Sequence, residues 1–143
     1  MSIYPINNAF VFASTLNNIK MIDIIVHAVK KNSILTDFQE SEIRLLLCES
    51  ITNAIVHGNN NEAEQPVEVR FEMLTDGIKF IIFDQGSGFD LNQVPNPTLS
   101  ENIEKIGGRG VYIIQQLCLF TEYLTHSNAF IFTYPLNKTH ANN

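Results

Sequence analysis

Three polar side chains recur at helical spacing in the segment ESITNAIVHG, which covers residues 49–58. Glu49, Asn53 and His57 follow one another at intervals of four residues, so a helix places them on one face. An amide oxygen together with phosphate oxygens can hold magnesium, and a carboxylate one turn away can take a proton from an attacking hydroxyl. The segment therefore predicts a metal and general-base wall, and the alternative is a polar helix face exposed to solvent.

A second polar segment, DQGSG, follows an apolar run and contains Asp84, Gly86 and Gly88. An aspartate at the end of a strand can accept a hydrogen bond from the amino group of adenine. Glycines let the backbone turn tightly and approach a ligand. The segment indicates a base-binding turn, and the alternative is a plain turn between a strand and a loop.

The third segment, GGRG, covers residues 107–110 and precedes an apolar helical pattern. Free backbone amides at a helix N-terminus attract anions, and glycines remove side chains that would obstruct a phosphate. Gly108, Arg109 and Gly110 are thus candidate phosphate contacts, although the P-loop and dinucleotide signatures are absent. The alternative is an ordinary glycine-rich helix start.

The surrounding sequence predicts the elements that position these segments. Apolar residues at helical spacing predict one helix over 16–31 and a second, with a Thr36–Gln39 capping box, ending near His57. Alternation and turn residues predict two hairpins, and the aperiodic segment 86–106 is interpreted as a lid loop. The predicted strands are 9–13, 67–72, 78–83, 121–125 and 129–134, and the last helix is 109–120.

This order favours an α+β fold with a single domain over residues 1–143. Strands that come mostly as antiparallel hairpins, with few helices, are best buried as a two-layer sandwich. We expect a mixed, mostly antiparallel sheet with the helices on one face.

Composition and charge narrow the function classes. The chain has 143 residues and a net charge of −6, without a lysine or arginine cluster, so we expect no direct nucleic-acid binding. No secretory signal or membrane span is visible, which predicts a cytoplasmic protein. Cys48 and Cys118 lie in apolar helical patterns typical of buried reduced thiols, and the histidines show no metal-ligand spacing.

The order of the three polar segments resembles that of the GHKL ATPase superfamily, whose ATP site uses the Bergerat fold. ESITNAIVHGN is similar to its asparagine box, DQGSGFD to its first glycine box and GGRGVYIIQQL to its second. Within the superfamily, the chain resembles the bacterial anti-sigma-factor serine/threonine kinases from about Ala9 to Tyr134. It departs from their pattern in the last hairpin, where Asn128 precedes alanine instead of glycine.

The resemblance implies a role for each motif position. Glu49 would be the general base and Asn53 the Mg²⁺ ligand. Asp84 would bind the adenine amine, with Gly86 and Gly88 shaping the base pocket. Phosphate contacts would come from Gly108, Arg109 and Gly110, and His57 would lie at the pocket edge.

The resemblance also implies a function. The chain would transfer the γ-phosphate of ATP, with Mg²⁺, to a STAS-domain anti-anti-sigma factor, and it would sequester a sigma factor, typically as a homodimer. Exposed apolar surface on the first helix or the terminal strand would favour that homodimer. One alternative is a nucleotide-binding module that sequesters its partner without phosphotransfer. Another is the ATPase domain of a histidine kinase, although 143 residues leave no room for a separate phosphoacceptor domain.

Overall fold

The computed structural model describes residues 8–86 and 109–137, which contain three α-helices and five strands. The predicted lid lies outside the described residues, apart from Gly86. The elements are β1 (Ala9–Phe12), a 3₁₀ turn (Leu16–Lys20), α1 (Met21–Asn32), α2 (Asp37–Asn53), a π-helical turn (Ala54–Gly58), β2 (Val67–Met73), β3 (Gly77–Phe83), α3 (Arg109–Leu117), β4 (Phe120–Leu124) and β5 (Ala129–Pro135).

The five strands form one sheet in the order β1-β2-β3-β5-β4, and every neighbouring pair is antiparallel. In β2, Val67, Val69 and Phe71 are buried, whereas Arg70 and Glu72 on the alternate positions are exposed. β2 therefore buries one face and turns the other to solvent, whereas β5 is buried at nearly every position. The predicted α+β sandwich, with a mostly antiparallel sheet, is confirmed.

The core lies between the buried sheet face and the helices. Phenylalanine rings from neighbouring strands line up across the sheet, with ring centroids 6.4 Å apart for Phe10 and Phe71 and 5.3 Å apart for Phe80 and Phe132. The helices cover these rings with fully buried aliphatic side chains, namely Ile25, Val26 and Val29 of α1 and Ile43, Leu46, Leu47 and Ile51 of α2. In the described ranges no helix is both long and apolar enough to cross a bilayer.

In the first predicted helix, α-helical structure begins later than expected. Residues Leu16–Lys20 form a 3₁₀ turn, and the α-helix starts only at Met21. Thr15 makes no side-chain cap, while the Asn18 side chain donates to the Ala13 carbonyl at 2.8 Å. A local bond of this kind competes with regular α-helical bonding in the first turn.

The start of α2 is as predicted, and its end is not. Thr36 Oγ1 accepts from the Gln39 amide at 3.1 Å, and Gln39 Oε1 accepts from the Thr36 amide at 2.9 Å, which confirms the capping box. The prediction that the α-helix continues to His57 is wrong, because α-helical bonding stops at Asn53 and a π-helical turn follows.

The C-terminal part of the chain also departs from one prediction. The helix predicted to reach Phe120 ends at Leu117, and Phe120 instead begins β4. The cause is a sheet contact, since the Leu119 amide donates to the Thr133 carbonyl at 2.9 Å. Both predicted hairpins, β2–β3 and β4–β5, are present.

Candidate nucleotide site

The last turns of α2 present Glu49 and Asn53 one turn apart. Both side chains are half-buried, and the neighbouring Ser50 and Ile51 are buried in the helix back. Within residues 8–86 and 109–137, neither Glu49 nor Asn53 has a side-chain hydrogen bond or an ion pair. Among the described residues, the fold therefore makes no use of their polar atoms.

The π-helical turn begins directly after Asn53. The Asn59 amide donates to the Ala54 carbonyl, five residues back, at 2.8 Å. This hydrogen bond closes a wider ring than the α-helical bond to the fourth preceding residue, and it defines the turn as π-helical. Single π-helical turns are frequent at functional sites, because they redirect the chain inside a helix. Here the turn exposes His57 and carries Gly58 towards the end of β3.

Gly58 and Gly86 allow the π-helical turn to touch the segment after β3. A Cβ on Gly58 would stand 2.5 Å from Asp84 Cγ, and a Cβ on Gly86 would overlap the Gly58 carbonyl oxygen. These are contacts that any larger residue would break. Two of the three segments singled out in the sequence are thus in direct contact.

Asp84 lies half-buried at this contact. Its Oδ1 accepts from the Gly86 amide at 2.7 Å. Burial raises the pKa of the Asp84 carboxyl above its ordinary value, and the Gly86 hydrogen bond opposes that rise. In the described part of the chain nothing donates to the second oxygen, Oδ2. This oxygen is therefore available to accept from a ligand amine.

The N-terminus of α3 packs against Glu49. Gly110, the second residue of α3, is buried, and a Cβ there would overlap the Glu49 carboxylate oxygen Oε2. Arg109 precedes it and is exposed. A carboxylate thus lies beside the positive end of a helix dipole, at the element predicted to contact phosphates. Gly88 and Gly108 lie outside the described residues.

Two further polar residues belong to this region, and sequence reasoning assigned them no role. Asn59 is fully buried, and its Oδ1 accepts from the Gln85 amide at 2.7 Å. Asn128, in the β4–β5 turn, donates to the Gly86 carbonyl at 2.6 Å. The available signals were an asparagine directly after Gly58 and one in a tight turn. Neither signal reveals a partner 26 or 42 residues away.

Tyr123 completes the surroundings of Asp84. Burial, together with the nearby Asp84 charge, raises the pKa of Tyr123 to about 12. Its hydroxyl therefore stays protonated at physiological pH and points to Asn128 Oδ1 at 3.4 Å. The described surroundings of Asp84 consequently combine one carboxylate with neutral hydrogen-bonding groups.

These residues fit a nucleotide with a divalent cation. The tight Gly58–Asp84–Gly86 contact offers a carboxylate oxygen to a base, while Glu49 contacts the start of α3 and Asn53 follows it one turn later in α2. Among the described residues no three His, Cys, Asp or Glu side chains gather into a metal site. The predicted protein ligand of Mg²⁺ is the Asn53 amide oxygen, and phosphates and water would supply the rest.

Sequence comparison agrees with this geometry. Residues 12–129 match the family described as the histidine kinase-like ATPase domain. The chain belongs to this family. The match covers both the α2 segment and the turn after β3, and the GHKL resemblance is confirmed.

Several curated relatives of this ATPase-domain chain carry more specific names. It is similar to "Serine-protein kinase RsbW" of Bacillus velezensis, with 32% identity over 84 residues that cover 53% of this chain and 51% of the relative. It is also similar to "Serine-protein kinase RsbW" of Bacillus subtilis, with 27% identity over 60% of this chain and 58% of the relative. "Anti-sigma F factor" of Shouchella clausii is 31% identical over 54% of this chain and 55% of the relative. The chain therefore spans about half the length of these relatives.

Proposed function

We propose that this protein is an ATP-dependent serine/threonine protein kinase that also acts as an anti-sigma factor. The observation that carries the proposal is the contact of Glu49 with the start of α3, one helical turn from Asn53. It puts a carboxylate that has no hydrogen bond or ion pair among the described residues beside the predicted phosphate-binding helix. The names of the relatives, a serine-protein kinase and an anti-sigma F factor, support the same activity.

In the proposed reaction, Asp84 accepts a hydrogen bond from the adenine amine and sets the position of the nucleotide. Arg109 and the α3 amides, together with Gly108, bind phosphate oxygens, and Gly86 and Gly88 shape the base pocket. Asn53 would hold Mg²⁺, which when bound would supply positive charge that stabilises the phosphoryl group in the transition state.

The chemical step needs one proton acceptor. The hydroxyl oxygen of a serine or threonine forms a bond to the γ-phosphorus as the bond to the ADP oxygen breaks. The hydroxyl proton passes to the Glu49 carboxylate, which lies on the same helical face as Asn53. His57 is exposed in the π-helical turn. We place it at the pocket edge, without a catalytic role.

The proposed substrate is a STAS-domain anti-anti-sigma factor, and the proposed sequestered partner is a sigma factor. We place the protein in the cytoplasm, where sigma factors act, and propose that it works as a homodimer. Leu16 and Ile24, in the 3₁₀ turn and α1, are about half exposed, which supports a contact between two copies.

A second candidate function is sequestration of a partner without phosphotransfer, with nucleotide as a conformational ligand. The relative named as an anti-sigma F factor favours keeping this candidate. The serine-kinase names of other relatives favour serine/threonine transfer over a histidine kinase role.

The test incubates the protein with γ-labelled ATP, Mg²⁺ and STAS-domain proteins from the same genome. Glu49→Gln should retain ATP binding and lose roughly 100- to 10,000-fold in transfer rate, because it keeps the side-chain shape without the base. Asn53→Ala should lose Mg²⁺-dependent ATP binding as well. Glu72→Gln, an exposed carboxylate on β2, is the matched control and should transfer normally.

The outcomes separate the two candidates. Binding of ATP without any labelled STAS protein would reject the kinase proposal and leave the sequestering module. Normal transfer by Glu49→Gln would reject Glu49 as the base.

A further inference from the structure

The segment Asp84–Gly86, here called the base turn, is held by two asparagines from distant parts of the chain. Asn59 is the first. Its Oδ1 accepts from the Gln85 amide at 2.7 Å. Its Nδ2 lies 2.8 Å from Ser14 Oγ, 2.9 Å from the Gln65 carbonyl and 3.1 Å from the Pro66 carbonyl. Because Asn59 is fully buried and uses both ends of its amide, it ties the base turn to the β1 exit and the loop before β2.

Asn128 is the second, and it approaches the base turn from the β4–β5 hairpin. Its Nδ2 donates to the Gly86 carbonyl at 2.6 Å, and its backbone carbonyl accepts from the Asp84 amide at 3.1 Å. The backbone of Asn128 is left-handed, with φ of 49°. Asparagine tolerates this conformation better than most residues, so the turn can present both its carbonyl and its side chain to one neighbour.

Together these contacts use every backbone amide of the base turn. The Asp84 amide donates to Asn128, the Gln85 amide to Asn59, and the Gly86 amide to Asp84 Oδ1. One Asp84 oxygen is thereby held inside the turn. The other, Oδ2, has no donor among the described residues and is left for a ligand.

We propose that Asn59 and Asn128 are positioning residues that set base selectivity, because they orient the Asp84 carboxylate towards the amino group of adenine. The inference rests on the proposed nucleotide binding at this site. Neither asparagine needs to touch the nucleotide. A carboxylate held in one orientation accepts a hydrogen bond from the adenine amino group and repels a nucleobase that presents a carbonyl oxygen at the same position. A mobile carboxylate discriminates less between the two nucleobases.

The test compares ATP with inosine triphosphate, which differs at the position of that amino group. Asn128→Gly removes the donor to Gly86 while keeping a residue that accepts the left-handed backbone. We expect its preference for ATP over inosine triphosphate to fall about tenfold, with ATP affinity reduced and inosine triphosphate affinity nearly unchanged. Asn8→Gly is the matched control, because Asn8 also has a positive φ, 56°, and precedes the opposite edge strand of the sheet. It should leave the preference unchanged.

A second arm asks whether Asn128 acts through Asp84. In an Asp84→Ala background the preference should already be low, and Asn128→Gly should reduce it no further, because the carboxylate that it positions is gone. If melting curves show that Asn59→Ala folds, it should lose the preference for ATP as Asn128→Gly does. If Asn59→Ala does not fold, the result for Asn128→Gly alone decides the test.

Three results would overturn the inference. Equal losses of affinity for both nucleotides in Asn128→Gly would show a general structural effect, and unchanged affinities for both would show no effect at all. A further tenfold loss in the Asp84→Ala background would show that Asn128 acts independently of Asp84. Failure of the unmodified protein to bind ATP would reject the proposed function itself, which distinguishes the two failures.

Discussion

At the scale of single residues, Asp84 combines a structural cost with a proposed function. Its carboxylate is half-buried, its pKa is raised by burial, and only the Gly86 amide compensates among the described residues. A group whose folded pKa lies above its unfolded value makes the protein less stable as pH rises through the folded pKa. We interpret this as stability given up for a base-binding acceptor.

Asp84→Asn should therefore stabilise the protein in the absence of nucleotide. At neutral pH the amide avoids the buried charge and keeps an oxygen for the Gly86 amide, so we expect the melting temperature to rise by about 2 °C. This gain in melting temperature should shrink on acidification. It should vanish as the pH approaches 3.8, the ordinary pKa of an aspartate carboxyl, since the wild-type carboxyl is then protonated. Melting curves of both proteins over a pH series measure this difference.

Asp76→Asn, in the exposed turn before β3, is the control and should show no such trend. A stability advantage of Asp84→Asn that grows as the pH falls would contradict the assigned direction of the pKa shift.

The sequence indicates those residues of the candidate site that belong to local patterns and misses those that depend on distant contacts. Glu49 and Asn53 are visible because helical spacing alone puts them on one face. Asn59 looks like an ordinary loop residue, because its partners Ser14 and Gln85 are 45 and 26 residues away. Its burial follows from tertiary packing and not from its neighbours in sequence.

At the scale of elements, glycines decide how closely the three segments of the site approach. Gly58 and Gly86 bring the π-helical turn against the base turn, and Gly110 brings α3 against Glu49. The π-helical turn itself was not predictable. Its backbone hydrogen bond reaches the fifth preceding residue instead of the fourth, and tertiary surroundings, not local sequence, decide between the two. The capping box of α2 was predictable because both of its hydrogen bonds are local.

Gly86→Ala and Gly110→Ala should therefore have different effects. The Cβ of Gly86→Ala meets the Gly58 backbone, which must move, so we expect a loss of about 1–3 kcal/mol in the free energy of unfolding and weaker ATP binding. The Cβ of Gly110→Ala meets first the end of the flexible Glu49 side chain. It should displace that carboxylate and lower the transfer rate at least tenfold, with stability and ATP binding nearly retained.

Denaturant unfolding, ATP titration and the phosphotransfer assay on both variants measure these effects, and each variant serves as the control for the other. Equal loss of stability in the two variants would contradict the distinction between backbone and side-chain contacts. Normal transfer by Gly110→Ala would show that the position of Glu49 beside α3 has no bearing on the reaction.

At the scale of the whole molecule, the sheet order shows what local patterns leave open. The hairpins β2–β3 and β4–β5 follow from alternation and turn residues, but β3 pairs with β5 and not with β4. That pairing brings the Asn128 turn beside Asp84, so assembly of the base turn depends on the long-range step of folding. The α+β class needed only the number and order of elements, which is why it was predictable.

The proposed homodimer gives the last prediction. Large apolar side chains stay about half exposed at Val11, Leu16 and Ile24, whereas the apolar side chains of β5 are buried. The N-terminal part of the chain, and not the terminal strand, is therefore the expected interface. Ile24→Asp should convert a dimer of 16.2 kDa chains into monomers and weaken association about 100-fold or more, because an unpaired carboxylate would be buried.

Sedimentation over a concentration series measures the association. Leu74→Asp is the matched control, because Leu74 is 39% exposed between β2 and β3, outside the N-terminal part of the chain. It should remain dimeric, since an aspartate there stays in water. A wild-type protein that sediments as a monomer at all concentrations would reject the dimer. A dimeric Ile24→Asp would move the interface away from α1, and the exposed apolar side chains of the N-terminal part would then require another partner, for which the sigma factor is the first to test.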